Sequence, residues 1–209
     1  MLENYSYTLA KFSIFTKKKM IKINLTTFLI SVLILSNSIF AQEMILDEKN
    51  SSLKWTGKEI TTKTHFGSLR FKEGIINLKN DVLSSGKFVV DMTTIDCEDL
   101  SGSSKTNLEG HLKSDDFFSV NKYPEAILTI EKSKKKANGM FTATGKILIK
   151  GISQNITFDI YLNDKNGNAK LTFDRSKHDV SFRSGSFFQN LGDKLIYDDI
   201  EIEAQLTFN

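Results

Sequence analysis

The chain has 209 residues, of which 40% are hydrophobic and 25% are charged, and its formal net charge is +3. Five of its 28 basic residues and one of its 25 acidic residues precede residue 42, which leaves 23 basic and 24 acidic side chains in the remaining 168 residues. A nearly neutral body gives no electrostatic support for nucleic-acid binding, and a single cysteine, Cys97, excludes an internal disulfide.

The first 41 residues are typical of a secretory signal peptide. Lysines at 17–19 and 22 precede an uncharged, mostly apolar run over 25–40, and the small residue Ala41 ends it. This order predicts export and cleavage after Ala41, with residues 1–19 as an extension before a true start at Met20. A permanent anchor is the alternative, but the run is short for the ~20 apolar residues that a membrane span needs. We therefore expect a periplasmic or secreted protein formed by residues 42–209.

Alternation of apolar and polar residues with period two recurs along residues 42–209 and predicts strands with one apolar face. The clearest strands are expected at 88–93, 126–131, 140–149, 156–162 and 200–208. Shorter strands are expected at 53–56, 66–71, 75–78, 171–174 and 179–182. Gly and Asn tolerate the positive φ of hairpin turns. Their positions predict turns at 72–74, 84–86, 137–139, 150–151 and 164–167.

Strands joined by short turns are antiparallel neighbours, and a sheet of eight to ten strands has exposed edges unless it closes. The sequence therefore predicts an all-β fold, a closed antiparallel barrel of about eight strands. One segment interrupts the strand pattern with a short helical insert around 104–118. It places Phe117 and Phe118 behind two Asp residues and runs on to Pro124, the only proline. Such an insert is expected to form a wall or lid over an apolar interior.

Several motifs follow one another in a characteristic order. They lie at residues 52–58, 64–67 with 71–74, 86–95, 110–118 with 123–126, and 145–153. Together these motifs resemble the YceI-like family of exported lipid-binding proteins. The resemblance implies a lipocalin-like barrel that holds a polyisoprenoid chain, such as a quinone tail or a polyprenyl phosphate, with no catalysis and no cofactor. Residues 184–193 depart from the family pattern by adding a second aromatic pair, Phe187 and Phe188.

The apolar faces of the predicted strands indicate which residues would line a pore. The inward set is expected to be Phe88, Val90, Phe141, Ile147, Phe158, Ile160, Phe173, Ile202 and Leu206. The pairs Phe117-Phe118 and Phe187-Phe188 are expected to shape its mouth or wall. A polar head of the ligand is expected to meet His65, His111 and Arg183. This assignment depends on register, because a slip of one residue turns every side chain to the other face.

Two other interpretations of the barrel are weighed against a lipid carrier. A solid-core structural module that acts through its loops has the same strand pattern, and the two interpretations differ only in whether the interior is empty or filled.

The sequence offers little support for an enzyme. Ser184-Gly185-Ser186 lacks the strand-to-helix context of a nucleophile elbow, and no axial-ligand motif for haem is present. His65, His111 and His178 lie on separate elements with no companion cysteines, which favours structural hydrogen bonding over a metal site. We expect a monomer or homodimer that is compatible with transient membrane contact.

Overall fold

The computed structural model describes residues 41–209, so the predicted signal peptide lies outside the described residues except for Ala41. The strands there are β1 (Ala41–Ile45), β2 (Ser52–Lys58), β3 (Thr64–Lys79), β4 (Val82–Cys97), β5 (Glu125–Lys135), β6 (Met140–Ile149), β7 (Ile152–Asn163), β8 (Asn166–Asp174) and β9 (Asp199–Thr207). One α-helix, α1 (Gly102–Lys113), and two 3₁₀ turns, Arg175–His178 and Gly192–Lys194, complete the described elements. Within this part of the chain, no helix is long and apolar enough to cross a membrane.

The strands close into a barrel. The hydrogen-bonded order is β3-β2-β9-β8-β7-β6-β5-β4, and β4 pairs again with β3, with every pairing antiparallel. Strand β1 pairs with Ile75–Lys79 of β3, beyond the part of β3 that β2 covers, so β1 and β2 share one position in the wall. The predicted closed antiparallel barrel of eight strands is therefore confirmed.

The turns predicted at 72–74 and 84–86 are wrong, because both segments lie inside long strands. Gly74 and Gly86 are small for packing reasons. A Cβ on Gly74 would lie 2.8 Å from side-chain atoms of both Leu46 and Phe88. The actual hairpin between β3 and β4 turns at Asn80 and Asp81, whose φ angles are 50° and 58°. Short Asn and Asp side chains tolerate this left-handed conformation without glycine.

The other sequence-predicted turns are confirmed at 137–139 and 150–151, with positive φ at Asn138 and Lys150. The turn predicted at 164–167 is shorter, because it occupies Asp164 and Lys165 and the chain enters β8 at Asn166. The strand predicted at 179–182 is wrong, since these residues follow the 3₁₀ segment as irregular structure outside any strand. The helical insert is confirmed, although the helix ends at Lys113 and residues 114–122 continue as turns.

Two apolar clusters divide the interior. The larger one fills the barrel with the alternating inward side chains of the strands, such as Phe88, Phe158 and Leu206. The smaller one lies under α1 and the turns that follow it, and comprises Trp55, Met92, Ile95, Cys97, Leu112, Phe117, Val120 and Val180. Helix α1 and residues 114–122 therefore cap one end of the barrel, and we call them the cap.

Polar contacts fix α1 across the end of β4. The Glu109 Oε1 atom accepts the Cys97 backbone N–H at 2.9 Å, and the Lys105 Nζ atom lies 2.7 Å from Asp96 Oδ1. The indole N–H of Trp55 donates to the Asp96 carbonyl at 3.1 Å. The contacts of Lys105 and Glu109 therefore hold the helix over the end of β4, and Trp55 beneath it is bonded to the same β4 residue, Asp96.

Candidate functional site

A cavity of about 180 Å³ lies between the barrel interior and the cap. One water molecule needs roughly 10–15 Å³ on this measure, so the interior is hollow. Thirty-two residues line the cavity, and only Lys58, Glu59, His65 and His111 among them carry ionisable groups. A space with such walls excludes polar solutes and accommodates hydrocarbon.

The cavity exists because the strands place large and small inward side chains unevenly. Phe158 and Ile160 project from β7 and are 5% and 1% exposed. On the next two strands, Ala169 of β8 faces Ala204 of β9 in the antiparallel register, and both line the cavity. Two adjacent alanines leave space where larger residues would fill the barrel centre.

The cap closes the cavity with two aromatic rings. Phe117 and Phe118 meet edge to face with their centroids 4.9 Å apart, and both line the cavity. The Phe118 N–H donates to the Leu112 carbonyl at 3.2 Å, so the pair follows directly from the end of α1. The chain then turns at Ser119, where φ is 51°.

The cavity reaches the surface at a polar mouth formed by Lys58, Glu59, His65 and Ile196. Lys58 is exposed and the other three are half-buried. The ammonium of Lys58 lies 2.6 Å from Glu201 Oε1. The mouth therefore presents both charge signs next to an apolar interior.

His65 is oriented by a half-buried hydrogen-bond group. Its Nδ1 lies 2.8 Å from Asp99 Oδ2, while Asp99 Oδ1 accepts the Phe66 N–H at 2.9 Å and the Cys97 thiol at 3.3 Å. Burial alone would raise the pKa of Asp99, but the hydrogen bonds from Phe66, His65 and Cys97 outweigh it and hold that pKa below its usual value. The carboxylate stays ionised and keeps the imidazole ring directed at the mouth.

His111 lies deeper, on the cap side of the cavity. Its ring centroid is 4.3 Å from that of Phe182 and 5.5 Å from that of Phe117. The Nε2 atom is buried and has no hydrogen-bond partner within residues 41–209. Burial lowers the pKa of His111, so the ring is neutral at physiological pH.

Arg175 is a residue of this region that the sequence reasoning missed. Its side chain is fully buried, with the guanidinium carbon 5.3 Å from the Phe117 ring centroid. Three of its nitrogens donate to the backbone carbonyls of Tyr197, Val180 and Ile196 at 2.9–3.2 Å, and Asp198 Oδ1 lies 3.3 Å away. Arg175 therefore joins the connection between β8 and β9 to the cap. No local signal predicted this, because every partner is brought in by the fold.

Twelve of the sixteen residues nominated from the sequence line the cavity. They are Phe88, Val90, Phe117, Phe118, Ile147, Phe158, Ile160, Phe173, Ile202, Leu206, His65 and His111. The other four lie elsewhere. Phe141 is buried in the barrel core away from the cavity, Phe187 and Phe188 are 48% and 50% exposed, and exposed Arg183 stacks on Phe182 at 5.0 Å.

The remaining histidine has a structural position. His178 is 1% exposed, and its Nδ1 lies 3.0 Å from the Ile152 carbonyl. Burial lowers the pKa of His178 against the opposing effect of that hydrogen bond. Within residues 41–209, no group of three His, Cys, Asp or Glu side chains is placed to hold a metal ion.

Comparisons with known proteins agree with this architecture. A family model for the YceI-like domain matches residues 45–208. UPF0312 proteins of Vibrio campbellii and Vibrio parahaemolyticus are each 31% identical over 96 residues. That similarity covers 46% of this chain and 45% of each relative, so less than half the length of these curated relatives is matched.

Solved structures show the same fold at low identity. Burkholderia cenocepacia BcnA superposes with a TM-score of 0.62 and 17% identity, over 77% of this chain and 98% of that chain. A polyisoprenoid binding domain from Saccharophagus degradans superposes with a TM-score of 0.54 and 13% identity, over 79% and 97%. At these identities the likeness establishes the barrel fold, and the family model establishes the relationship.

Proposed function

The chain belongs to the YceI-like domain family, and we propose that it is an exported, non-catalytic protein that binds one isoprenoid lipid or quinone in its barrel cavity. The observation that carries this proposal is the cavity itself, which is closed by an aromatic cap and is apolar except near the cap histidine and the mouth. The alternative from the sequence, a solid-core interaction module, predicts an interior filled by side chains instead of a cavity.

The walls favour a long hydrocarbon over a compact polar ligand. Aliphatic and aromatic side chains offer no directional partners, so the ligand is held by removal of its surface from water. Each buried methylene contributes about 0.8 kcal/mol. Ten such groups would contribute about 8 kcal/mol, which exceeds the lower estimates of the cost of association, about 4 kcal/mol.

The polar mouth suits the head of such a lipid. With the chain inside the barrel, the head would lie beside Lys58 and His65, where both donors and charge are available. The fold neighbour from Saccharophagus degradans is described as a polyisoprenoid binding domain, which supports the same class of ligand. The polar pair at the mouth is compatible with a quinone ring, an alcohol or a phosphate.

Native mass spectrometry of the protein from its own host tests the proposal. We expect an added mass that is lost on denaturation and is recovered in an organic extract as a prenyl compound. The intact protein mass also tests export, since cleavage after Ala41 leaves residues 42–209. A bare protein mass that is unchanged after incubation with prenyl alcohols and quinones would refute lipid binding and restore the solid-core interpretation.

A further inference from the structure

The connection between β8 and β9 carries exposed aromatic residues that the cavity does not use. We call residues 184–197 the strap. Phe187, Phe188 and Tyr197 in the strap are 48%, 50% and 48% exposed, and neighbouring Ile60 is 42% exposed. These four residues are defined here as the docking rim. Large apolar side chains exposed together on a folded protein usually mark a contact surface.

The docking rim lies beside the cavity mouth. The Ile60 N–H donates to the Leu195 carbonyl at 3.0 Å, and the Tyr197 N–H donates to the Lys58 carbonyl at 2.9 Å. Between them, Glu59 forms a β-bridge with Ile196. Ile196 also forms a parallel β-bridge with Ser184, whose carbonyl accepts the N–H groups of Phe187 and Phe188 at 3.2 and 3.0 Å. Because Lys58, Glu59 and Ile196 line the cavity, Ile60 and Tyr197 adjoin its opening, and the turn that carries Phe187 and Phe188 begins beside Ile196.

The strap is held in place, so its aromatic residues stay outside the core. Arg175 donates to the strap carbonyls of Ile196 and Tyr197. At the other end of the strap, the hydroxyls of Ser184 and Ser186 donate to Asp198 Oδ2 at 2.9 and 2.7 Å. These four bonds, of which three are half-buried and the Ser186 bond is exposed, fix both ends of the strap, and Phe187 and Phe188 lie in the segment between them.

The size of the docking rim discriminates between occupants. An aromatic residue has roughly 150–250 Å² to bury, so three that are half exposed offer roughly 225–375 Å². A stable protein interface needs about 800 Å² from each partner. The rim is therefore small for a dimer contact, but it suits shallow insertion of aromatic side chains among lipid head groups.

The charges near the rim indicate how a membrane would be held. Lys63, Arg183 and Lys194 are exposed, but Asp193 lies on the same strap and Glu59 on the same turn as Lys63. Mixed signs give little net attraction to an anionic surface. Attachment through the rim would then depend on apolar insertion and would resist salt.

We propose that the docking rim inserts into the interface of a phospholipid bilayer and places the cavity mouth against it. A prenyl lipid then passes between bilayer and barrel without crossing water. This inference rests on the proposed function for its cargo, whereas attachment to the bilayer depends on the rim alone.

Flotation with phosphatidylcholine vesicles tests the rim in protein purified from cells that express the full chain. We expect the wild type to float with the vesicles at both low and high salt. The double variant Phe187→Ser/Phe188→Ser should bind vesicles roughly tenfold or more weakly, because it loses most of the inserted area. The matched control is Ile45→Ser, which removes a 53% exposed apolar residue from β1, away from the mouth, and should float like the wild type.

A second readout separates attachment from loading. Trp55 is the only tryptophan and lines the cavity, so its fluorescence should change when geranylgeraniol is delivered in detergent micelles. The double variant should load in this way as the wild type does. If the wild type does not bind geranylgeraniol, the proposed function is wrong, whereas flotation still tests whether the docking rim binds the bilayer.

Three results would overturn the docking proposal. One is a wild type that loads from micelles but does not float, and another is a double variant that floats as well as the wild type. The third is a wild-type dimer, measured by light scattering, that the double substitution dissociates while vesicle binding is absent. In that case the rim is a contact between two copies of this chain.

Discussion

Replacing Phe158 by Asp puts a carboxyl group on the cavity wall and tests lipid binding most directly. Phe158 is 5% exposed, lies in the middle of β7 and faces Ala143 across the β6–β7 ladder. About half of an aromatic residue's area, roughly 100 Å², faces a guest. Its loss removes about 2.5 kcal/mol of favourable burial.

The new group adds a second penalty. Burial raises the pKa of such a carboxyl and favours its neutral form, and an unpaired neutral polar group still costs about 1–3 kcal/mol beside hydrocarbon. The sum of the two penalties, about 3.5–5.5 kcal/mol, corresponds to a loss of affinity of roughly 300-fold to 10⁴-fold. The fold itself should lose about 3–5 kcal/mol, as in Phe-to-Ala core substitutions, out of a typical total of 5–15 kcal/mol.

The assay compares Phe158→Asp with Thr157→Asp, the exposed neighbour on the same strand. Both proteins are first shown to be folded by circular dichroism, and prenyl-alcohol binding is then followed by Trp55 fluorescence and by native mass spectrometry. Thr157→Asp should bind like the wild type. A folded Phe158→Asp protein that retains its lipid would refute the assignment of the cavity as the binding site.

Two further predictions concern Arg175 and the two histidines whose pKa values burial lowers. Arg175→Ala should lower the free energy of unfolding by about 3–5 kcal/mol, because it removes the cation beside Asp198 and the donors to the carbonyls of Val180, Ile196 and Tyr197. Limited proteolysis of this variant should cut within 184–197, whereas exposed Arg183→Ala should change stability by less than about 0.5 kcal/mol. Burial lowers the folded-state pKa of His178, and also that of His111, below the unfolded value near 6.5. The unfolded state therefore takes up protons first, and stability should fall as the pH drops below 6.5, by up to about 1.4 kcal/mol per pH unit for each histidine. Urea unfolding at pH 7 and pH 5 measures this fall in the free energy of unfolding. The fall should be smaller in His178→Gln than in the wild type, and an equal fall in both proteins would contradict a lowered pKa of His178.

The barrel could be predicted from the sequence because its information is local. Each strand alternates with period two, and most turns carry Gly or Asn, so strand order and inward faces follow from short segments. Gly74 and Gly86 were misinterpreted as turns for the same reason. Their small size serves close packing against Leu46, on another strand connection, and against the Ile75 backbone across the β3–β4 ladder, and no local pattern distinguishes that use from a turn.

The strap and its anchor could not be predicted in this way. A buried arginine such as Arg175 is uncommon, and its hydrogen bonds depend on carbonyls brought together by the connection after β8. The sequence instead suggested Arg183, an exposed residue, as a polar contact of the ligand. Phe187 and Phe188 were correctly distinguished as lying outside the strand pattern, but whether they face the cavity or the solvent depends on how the strap is tied down.

The position of the cap restricts the route of a ligand into the barrel. Lifting the cap would expose Leu112, Phe117 and Val120, at about 1.5–3 kcal/mol for each large side chain, together with the buried faces of Trp55 and Met92 beneath them. That sum approaches the whole stability of a typical domain. The mouth at Lys58 and Ile196 is already exposed or half-buried, so a chain that enters there disturbs far less packing. We therefore expect the cap to remain closed while a lipid enters end-on through the mouth, beside the docking rim.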